Sequence, residues 1–216
     1  MADMYQSQKD SLLMNESIIK IIFGVRGCGK SETLKRLIND KKRLIIYDRL
    51  HEYGNGIIFY DFKMFKQFWA NPKVYQNNFR LIYRPGGDIE RRAEEIGQIC
   101  KLAGYCEDLT IAIEELNILF LSKRPPAEFN ELVFGGRHAN VEIIGAAQRP
   151  KGFPDLVSQA KELYIFQTRH PDDVKYFSDF LGKEYAKTIQ ELQQYHYLRW
   201  YIEDGQQKFE VKKDSL

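Results

Sequence analysis

No stretch of this chain stays apolar for anything near the roughly 18 residues that a membrane-spanning helix requires. The opening residues, MADMYQSQKD, also lack the apolar centre of a secretory leader. Cysteine is scarce and odd in number. Cys28, Cys100 and Cys106 show no metal-ligand spacing and cannot all pair, so a reducing compartment is expected. His51, His138, His170 and His196 are scattered without metal-binding spacing. Neither sign of charge dominates: 32 basic residues against 30 acidic leave +2, so any nucleic-acid contact has to come from a local patch. Repeats, low-complexity tracts and a dividing linker are missing too, and 216 residues suit one domain. Apolar residues make up 44%, enough to expect a packed core instead of disorder. These absences describe a soluble, intracellular protein.

What the chain does contain is an alternation of short apolar strands with amphipathic segments. Residues 1–16 are mostly polar and read as a loose arm, and 17–216 as a single domain. Strands are predicted over 17–23, 43–47, 57–60, 79–85, 109–113, 141–147 and 162–167, and helices over 32–42, 62–70, 89–103, 172–181 and from about Pro126. Such alternation argues an α/β fold with a largely parallel central sheet. Near the end the pattern changes. YHYLRWYI, then Glu203-Asp204-Gly205, then QQKFEV reads as a β-hairpin over 195–211 that turns at Asp-Gly.

Residues 24–31, GVRGCGKS, fit the phosphate-loop pattern G-x-x-x-x-G-K-[ST]. Its glycines let backbone N–H groups converge on phosphates and its lysine neutralises their charge. Its serine hydroxyl can ligate Mg²⁺, and the following helix directs its positive end at the anion. The expected context is present, a strand before and a helix after. Gly24, Arg26, Gly27, Cys28, Gly29, Lys30, Ser31 and Glu32 are therefore the candidate nucleotide contacts, with ATP and Mg²⁺ as the expected ligands. Cys28 reads either as a small filler or as a redox-sensitive thiol inside the loop.

IAIEELN places Glu114 and Glu115 directly after a buried strand, at the edge where parallel sheets bind ligands. In a phosphate-loop ATPase the first acid holds Mg²⁺ through water and the second activates the attacking water. That assigns the metal to Glu114 and the general base to Glu115. Asp is commoner at the first position, and the plain alternative is a helix start that favours acids. A second acid points to hydrolysis more than to phosphorylation of a small molecule, whose acceptor needs no activated water. Residues 141–147 form an apolar strand that ends on Gln148. If that strand lies between the phosphate-loop strand and the acidic strand, Gln148 ends beside the γ-phosphate and can sense it. Otherwise it is an ordinary polar strand end.

Taken in order, GVRGCGKS, FRLIYRP, LTIAIEELN and GRHANVEIIGAAQRP resemble the FtsK/HerA superfamily of phosphate-loop ATPases, ring-forming motors that pump DNA. The likeness covers about residues 18–181, and the continuation LVSQAKELYIFQTRHPDDVKYFSDFLG follows it. Compact size is similar to the genome-packaging ATPases of tailless icosahedral viruses with an internal membrane. The resemblance implies a RecA-like ASCE phosphate-loop NTPase, α/β with a mainly parallel sheet and a C-terminal hairpin. It implies a homo-oligomeric ring of five or six subunits. It also implies double-stranded DNA and capsid or vertex proteins as partners, and a place in host cytoplasm and at the packaging vertex. Arg137 corresponds to the arginine that leads its block, a candidate finger into the neighbouring subunit's nucleotide. Arg149 and Arg169 compete for that role, and a solvated or DNA-facing Arg137 is the plain reading.

DNA pumping needs cations that contact phosphate without reading sequence. LSKRPP offers Lys123 and Arg124, and QRPKGFP offers Arg149 and Lys151. Surface lysines are ordinarily just solvation. The aromatic hairpin, with Tyr195, Tyr197, Trp200, Tyr201 and Phe209, reads as a structural cap or as a docking surface. Rival functions are a plasmid or chromosomal DNA pump, a filamentous-phage assembly ATPase, and a nucleotide switch with little turnover.

Overall fold

The apolar runs become strands buried on both faces. We describe a computed structural model in residues 18–120, 125–136, 140–150, 152 and 154–214; the predicted arm over 1–16 lies outside them. The strands are β1 (Ile19–Phe23), β2 (Arg43–Tyr47), β3 (Ile57–Phe59), β4 (Phe79–Tyr83), β5 (Thr110–Ile113), β6 (Glu142–Ala147), β7 (Glu162–Phe166), β8 (His196–Glu203) and β9 (Gln206–Lys213). Among the described residues they form one sheet in the order β3-β4-β2-β5-β6-β1-β7-β8-β9. Pairing is parallel from β3 through β7 and antiparallel where the hairpin joins. Continuous apolar strands such as IKIIF and TIAI are what a parallel sheet covered on both sides requires.

Alternate strand residues feed two cores. Ile21, Ile45, Ile111 and Ile143 pack on one face against α2 (Phe62–Trp69), α4 (Ile89–Ala103), α5 (Ala127–Gly135), α6 (Pro154–Ser158), α7 (Pro171–Leu181) and α8 (Lys183–Glu191). A one-turn α3 (Pro72–Tyr75) follows α2. Ile22, Ile46, Ala112 and Ile144 face the other way, onto Leu34 and Ile38 of α1 (Lys30–Ile38). Each such fully buried aliphatic side chain contributes about 1.5–3 kcal/mol relative to exposure. The predicted helix over 32–42 thus begins earlier and ends earlier, since the N–H of Lys41 turns back onto Ile38 O (3.3 Å). The short helices over 72–75 and 183–191 and a 3₁₀ turn, Leu116–Phe120, have no counterpart in the sequence reading.

Polar residues at the starts of strands close the amino edge of the sheet. Lys20 bridges Glu142 (3.2 Å) and Glu162 (3.4 Å), Lys41 reaches Glu142 (2.6 Å), and Arg199 holds Glu162 (2.8 Å). The opposite, carboxyl edge carries the loops. There Asp48, fully buried at the end of β2, accepts from Arg84 Nε (2.9 Å) and from the N–H groups of Glu52 (2.9 Å) and Tyr53 (3.4 Å). Arg84 also donates to Tyr53 O (2.7 Å) and Tyr60 Oη (2.9 Å). One buried carboxylate therefore fixes the course of residues 48–53 over the sheet edge.

The hairpin turns at Asp204 (φ 51°) and Gly205 (φ 72°), the left-handed pair that suits a two-residue hairpin. It starts at His196; Tyr195, predicted inside it, belongs to the turn before β8. Tyr197 and Trp200 are buried, and Phe209 stacks on Tyr185 with centroids 3.6 Å apart, which is the cap arrangement. No helix among the described residues is long and apolar enough to cross a membrane.

Removing Arg84 strands the Asp48 charge in the interior. Arg84→Ala is expected to lower stability by about 3 kcal/mol or more, read as the urea midpoint at pH 7. A change under about 0.5 kcal/mol, the scale of an ordinary surface substitution, would contradict this role for Asp48.

Candidate nucleotide site

The phosphate loop leaves β1 at Gly24, whose N–H donates to Ala147 O of β6 (3.2 Å). A Cβ on Gly24 would lie 2.6 Å from Cys28 Sγ and 2.7 Å from Phe166 Cβ, so the close packing of loop on β7 demands glycine here. Gly29, at φ 113°, caps α1 from a left-handed conformation and offers no side chain to its first N–H groups. α2 and α4 are instead capped by Asp61 and Asp88. The amino end of α1 is thus left open to an outside acceptor such as phosphate. Lys30 Nζ donates to Val25 O within the loop (2.8 Å). Burial lowers its pKa, against the charges of Cys28, Glu52 and Glu115. Cys28 is buried, and burial pushes its thiol up. That argues for the filler reading and against a reactive thiolate.

The acidic pair sits at the carboxyl end of β5. Glu114 is buried (6% exposed). Its Oε2 accepts from Leu50 N (3.2 Å), while its Oε1 is buried with no hydrogen-bond partner. Burial raises its pKa well above the usual carboxylate range, against the Leu50 N–H that lowers it, and the Glu52 side chain, through its charge and a hydrogen bond, and the Asp48 charge raise it further. Glu114, with one carboxylate oxygen left without a donor, and Ser31 line the same cleft, and carboxylate and hydroxyl oxygens are the hard donors that suit Mg²⁺ with several waters retained. Glu115 is more open and forms an ion pair with Arg49 Nη1 of the same chain.

β6 lies between β5 and β1, the order on which the reading of Gln148 depended. Gln148 is exposed just past β6, and its N–H donates to Asn117 Oδ1 (3.1 Å). Gly27, Gly29, Lys30, Ser31, Glu114, Glu115 and Gln148 line one cleft of about 600 Å³, a size suited to a small-molecule ligand. The other candidates fare differently. Arg26 is an exposed residue of the cleft wall, and Glu32, also on that wall, pairs with Lys35 (2.8 Å). Arg149 donates through Nε to Asp173 (3.0 and 3.3 Å) and lies 3.0 Å from His170 Nδ1 and 3.6 Å from Asp172. Its charge is spent at the start of α7. Arg169 is exposed. Lys123, Arg124, Arg137 and Lys151 lie outside the described residues.

Five residues of the cleft were not among the nucleotide-site candidates read from the sequence: Arg49, Leu50, Glu52, Asn117 and Tyr195. Three of them follow β2, whose neighbour in the sheet is β5. Knowing that adjacency, DRLHE after RLIIY would have been a signal; Asn117 stood in the quoted IAIEELN.

A carboxyl group whose pKa is higher in the folded chain than in the unfolded one supports folding fully below the unfolded value, about 4.3. That support is lost as pH rises through the folded value, at about 1.4 kcal/mol per pK unit. In metal-free buffer, Glu114→Gln should therefore raise the urea midpoint at pH 8 and change it little at pH 4.5. The same shift at both pH values would refute the electrostatic account of Glu114.

No protein-family model matches the chain, and no curated protein matches its sequence. Solved structures do. The genome packaging NTPase B204 from Sulfolobus turreted icosahedral virus 2, in complex with sulfate, superposes with a TM-score of 0.73 at 23% identity, covering 94% of this chain and 99% of that one. The same NTPase in complex with ATP-γS gives 0.68 at 22%, covering 91% and 97%. B204, the DNA-packaging ATPase from Sulfolobus turreted icosahedral virus, gives 0.68 at 21%, covering 94% and 100%. Over nearly its whole length, then, the chain has the fold of a phosphate-loop packaging ATPase: a mostly parallel α/β sheet closed by a C-terminal antiparallel hairpin.

Proposed function

We propose that this protein hydrolyses ATP with Mg²⁺ and that turnover drives double-stranded DNA into a preformed viral capsid. The observation that carries the reading is the convergence on one cleft of Lys30, the Glu114-Glu115 pair and Gln148 from three adjacent strands. Lys30 and the open amino end of α1 would cradle the β- and γ-phosphates. Ser31 and Glu114 would hold magnesium, which neutralises charge on those phosphates when bound. Glu115 would take the proton of the attacking water, and Gln148 would orient that water or sense the γ-phosphate. The likeness to B204, solved with ATP-γS and AMPPCP, supports a nucleoside triphosphate as ligand.

The packaging part of the proposal goes further than the cleft. It places five or six copies in a ring at the packaging vertex, in host cytoplasm, with Arg137 reaching the neighbouring subunit's nucleotide. Lys123, Arg124 and Lys151 would meet DNA phosphates; the pairing of Arg149 with Asp173 argues for leaving it out of that set. A nucleotide switch with little turnover is the second reading, favoured by one contact. Arg49 occupies the carboxylate of Glu115, so the base is engaged within its own subunit.

Multiple-turnover hydrolysis with and without linear duplex DNA separates the two. The motor predicts turnover that rises with DNA; no turnover at any oligomeric state favours the switch. Glu115→Gln is expected to lower kcat about 100-fold or more while ATP still binds. Unchanged kcat would remove Glu115 as the base.

A further inference from the structure

A triphosphate accounts for Lys30 and for the open amino end of α1, and leaves one carboxylate of the cleft without a task. Glu52 lines the cleft with Glu114, Glu115 and Ser31, and the sequence reading gives it no role. Two other carboxylates on that wall already have partners: Glu115 pairs with Arg49 and Glu32 with Lys35. Glu52 and Glu114 do not. Among the described residues no lysine or arginine forms an ion pair with either, and Lys30 Nζ is turned to Val25 O (2.8 Å).

The loop after β2 brings the two acids together. The N–H of Leu50 donates to Glu114 Oε2 (3.2 Å), and the N–H of Glu52 donates to Asp48 Oδ1 (2.9 Å). Asp48 is itself fully buried and held by Arg84, so the backbone of Glu52 is placed by the interior of the protein. Its carboxyl comes within hydrogen-bonding reach of the Glu114 carboxyl. Two carboxylates repel, and they can be joined only by a proton or by a shared cation. Glu114 is 6% exposed, and its Oε1 meets no N–H or O–H donor. A buried carboxylate oxygen left in that condition is costly until something positive answers it.

We propose that Glu52 and Glu114 together form a divalent-cation site that takes Mg²⁺ from solution before any nucleotide is bound. The inference rests on the nucleotide reading above for the use of the cleft, and adds a second carboxylate ligand and an order of binding. Mg²⁺ is commonly held by one or two carboxylates, retained waters and substrate phosphates. A pair of carboxylates balances both charges of the cation, so the phosphates would add to a metal already in place.

Mn²⁺, which suits the same carboxylate and water ligands, is the probe, followed by electron paramagnetic resonance. Titration of the nucleotide-free full chain up to millimolar Mn²⁺ is expected to show one ion bound per chain. Affinity is expected to fall at least about ten-fold in Glu52→Gln, since losing even a group that only supports a metal ligand costs about that much. Glutamine keeps the N–H that holds Asp48, so the loop keeps its course. Glu32→Gln removes the same charge from the same wall, at a residue paired with Lys35, and is expected to change Mn²⁺ affinity by less than about two-fold. Equal weakening in the two variants would reduce Glu52 to one charge among several and overturn the site. So would Mn²⁺ binding in Glu52→Gln that matches the wild type. ATP with Mg²⁺ is titrated in parallel by calorimetry. A wild type that binds ATP but no Mn²⁺ alone would sink this inference and spare the nucleotide reading, whereas binding of neither would sink both.

Discussion

Everything at the site depends on β6 pairing in parallel with β1 on one side and β5 on the other. Parallel pairing puts the carboxyl ends of all three strands at one edge, so the loops that follow them share one space. Ala147 sits opposite Phe23 in the register, and Ile113 opposite Gly145. The phosphate loop, the acidic pair and Gln148 thus emerge side by side, although residues 32–147 lie between the first and the last. The ion pairs of Lys20, Lys41, Glu142 and Glu162 hold the other edge, which keeps charge off the strand interiors and leaves the carboxyl edge free for function.

A second constraint operates on the loop after β2. Asp48, paired with Arg84, pins residues 48–53 so that Leu50 N–H meets Glu114 and Glu52 faces the same cleft. The cleft consequently gathers four carboxylates, Glu32, Glu52, Glu114 and Glu115, with one lysine, Lys30, and two arginines, Arg26 and Arg49. Burial of Glu114 without a full set of donors costs free energy. A divalent cation is the group that would relieve that cost, which ties the stability of this edge to ligand occupancy.

The local part of this arrangement was legible in the sequence. GVRGCGKS announces its own geometry because the glycines, the lysine and the serine act within eight consecutive residues. Apolar runs such as RLIIY, FRLIY and ELYIF mark buried strands, and Asp204-Gly205 marks the hairpin. Contacts between distant segments were not legible. Nothing in DRLHE announces that Arg49 meets Glu115 or that Glu52 approaches Glu114, since both depend on β2 lying beside β5. Tyr195 was read as a hairpin aromatic; its left-handed backbone (φ 61°) and the Asp214 N–H on its carbonyl place it in the turn before β8, which the local sequence does not announce. Arg149 looked like a free cation, and only the packing of α7 shows its charge answered by Asp172 and Asp173.

The central claim is that the cleft under α1 holds the triphosphate of ATP. Calorimetric titration of wild-type protein and Lys30→Ala with ATP and Mg²⁺ tests it most directly. The account predicts one nucleotide bound per chain in the wild type and binding at least about 100-fold weaker in Lys30→Ala, the scale of losing a charge-assisted phosphate contact. Equal affinity in the two proteins would contradict it.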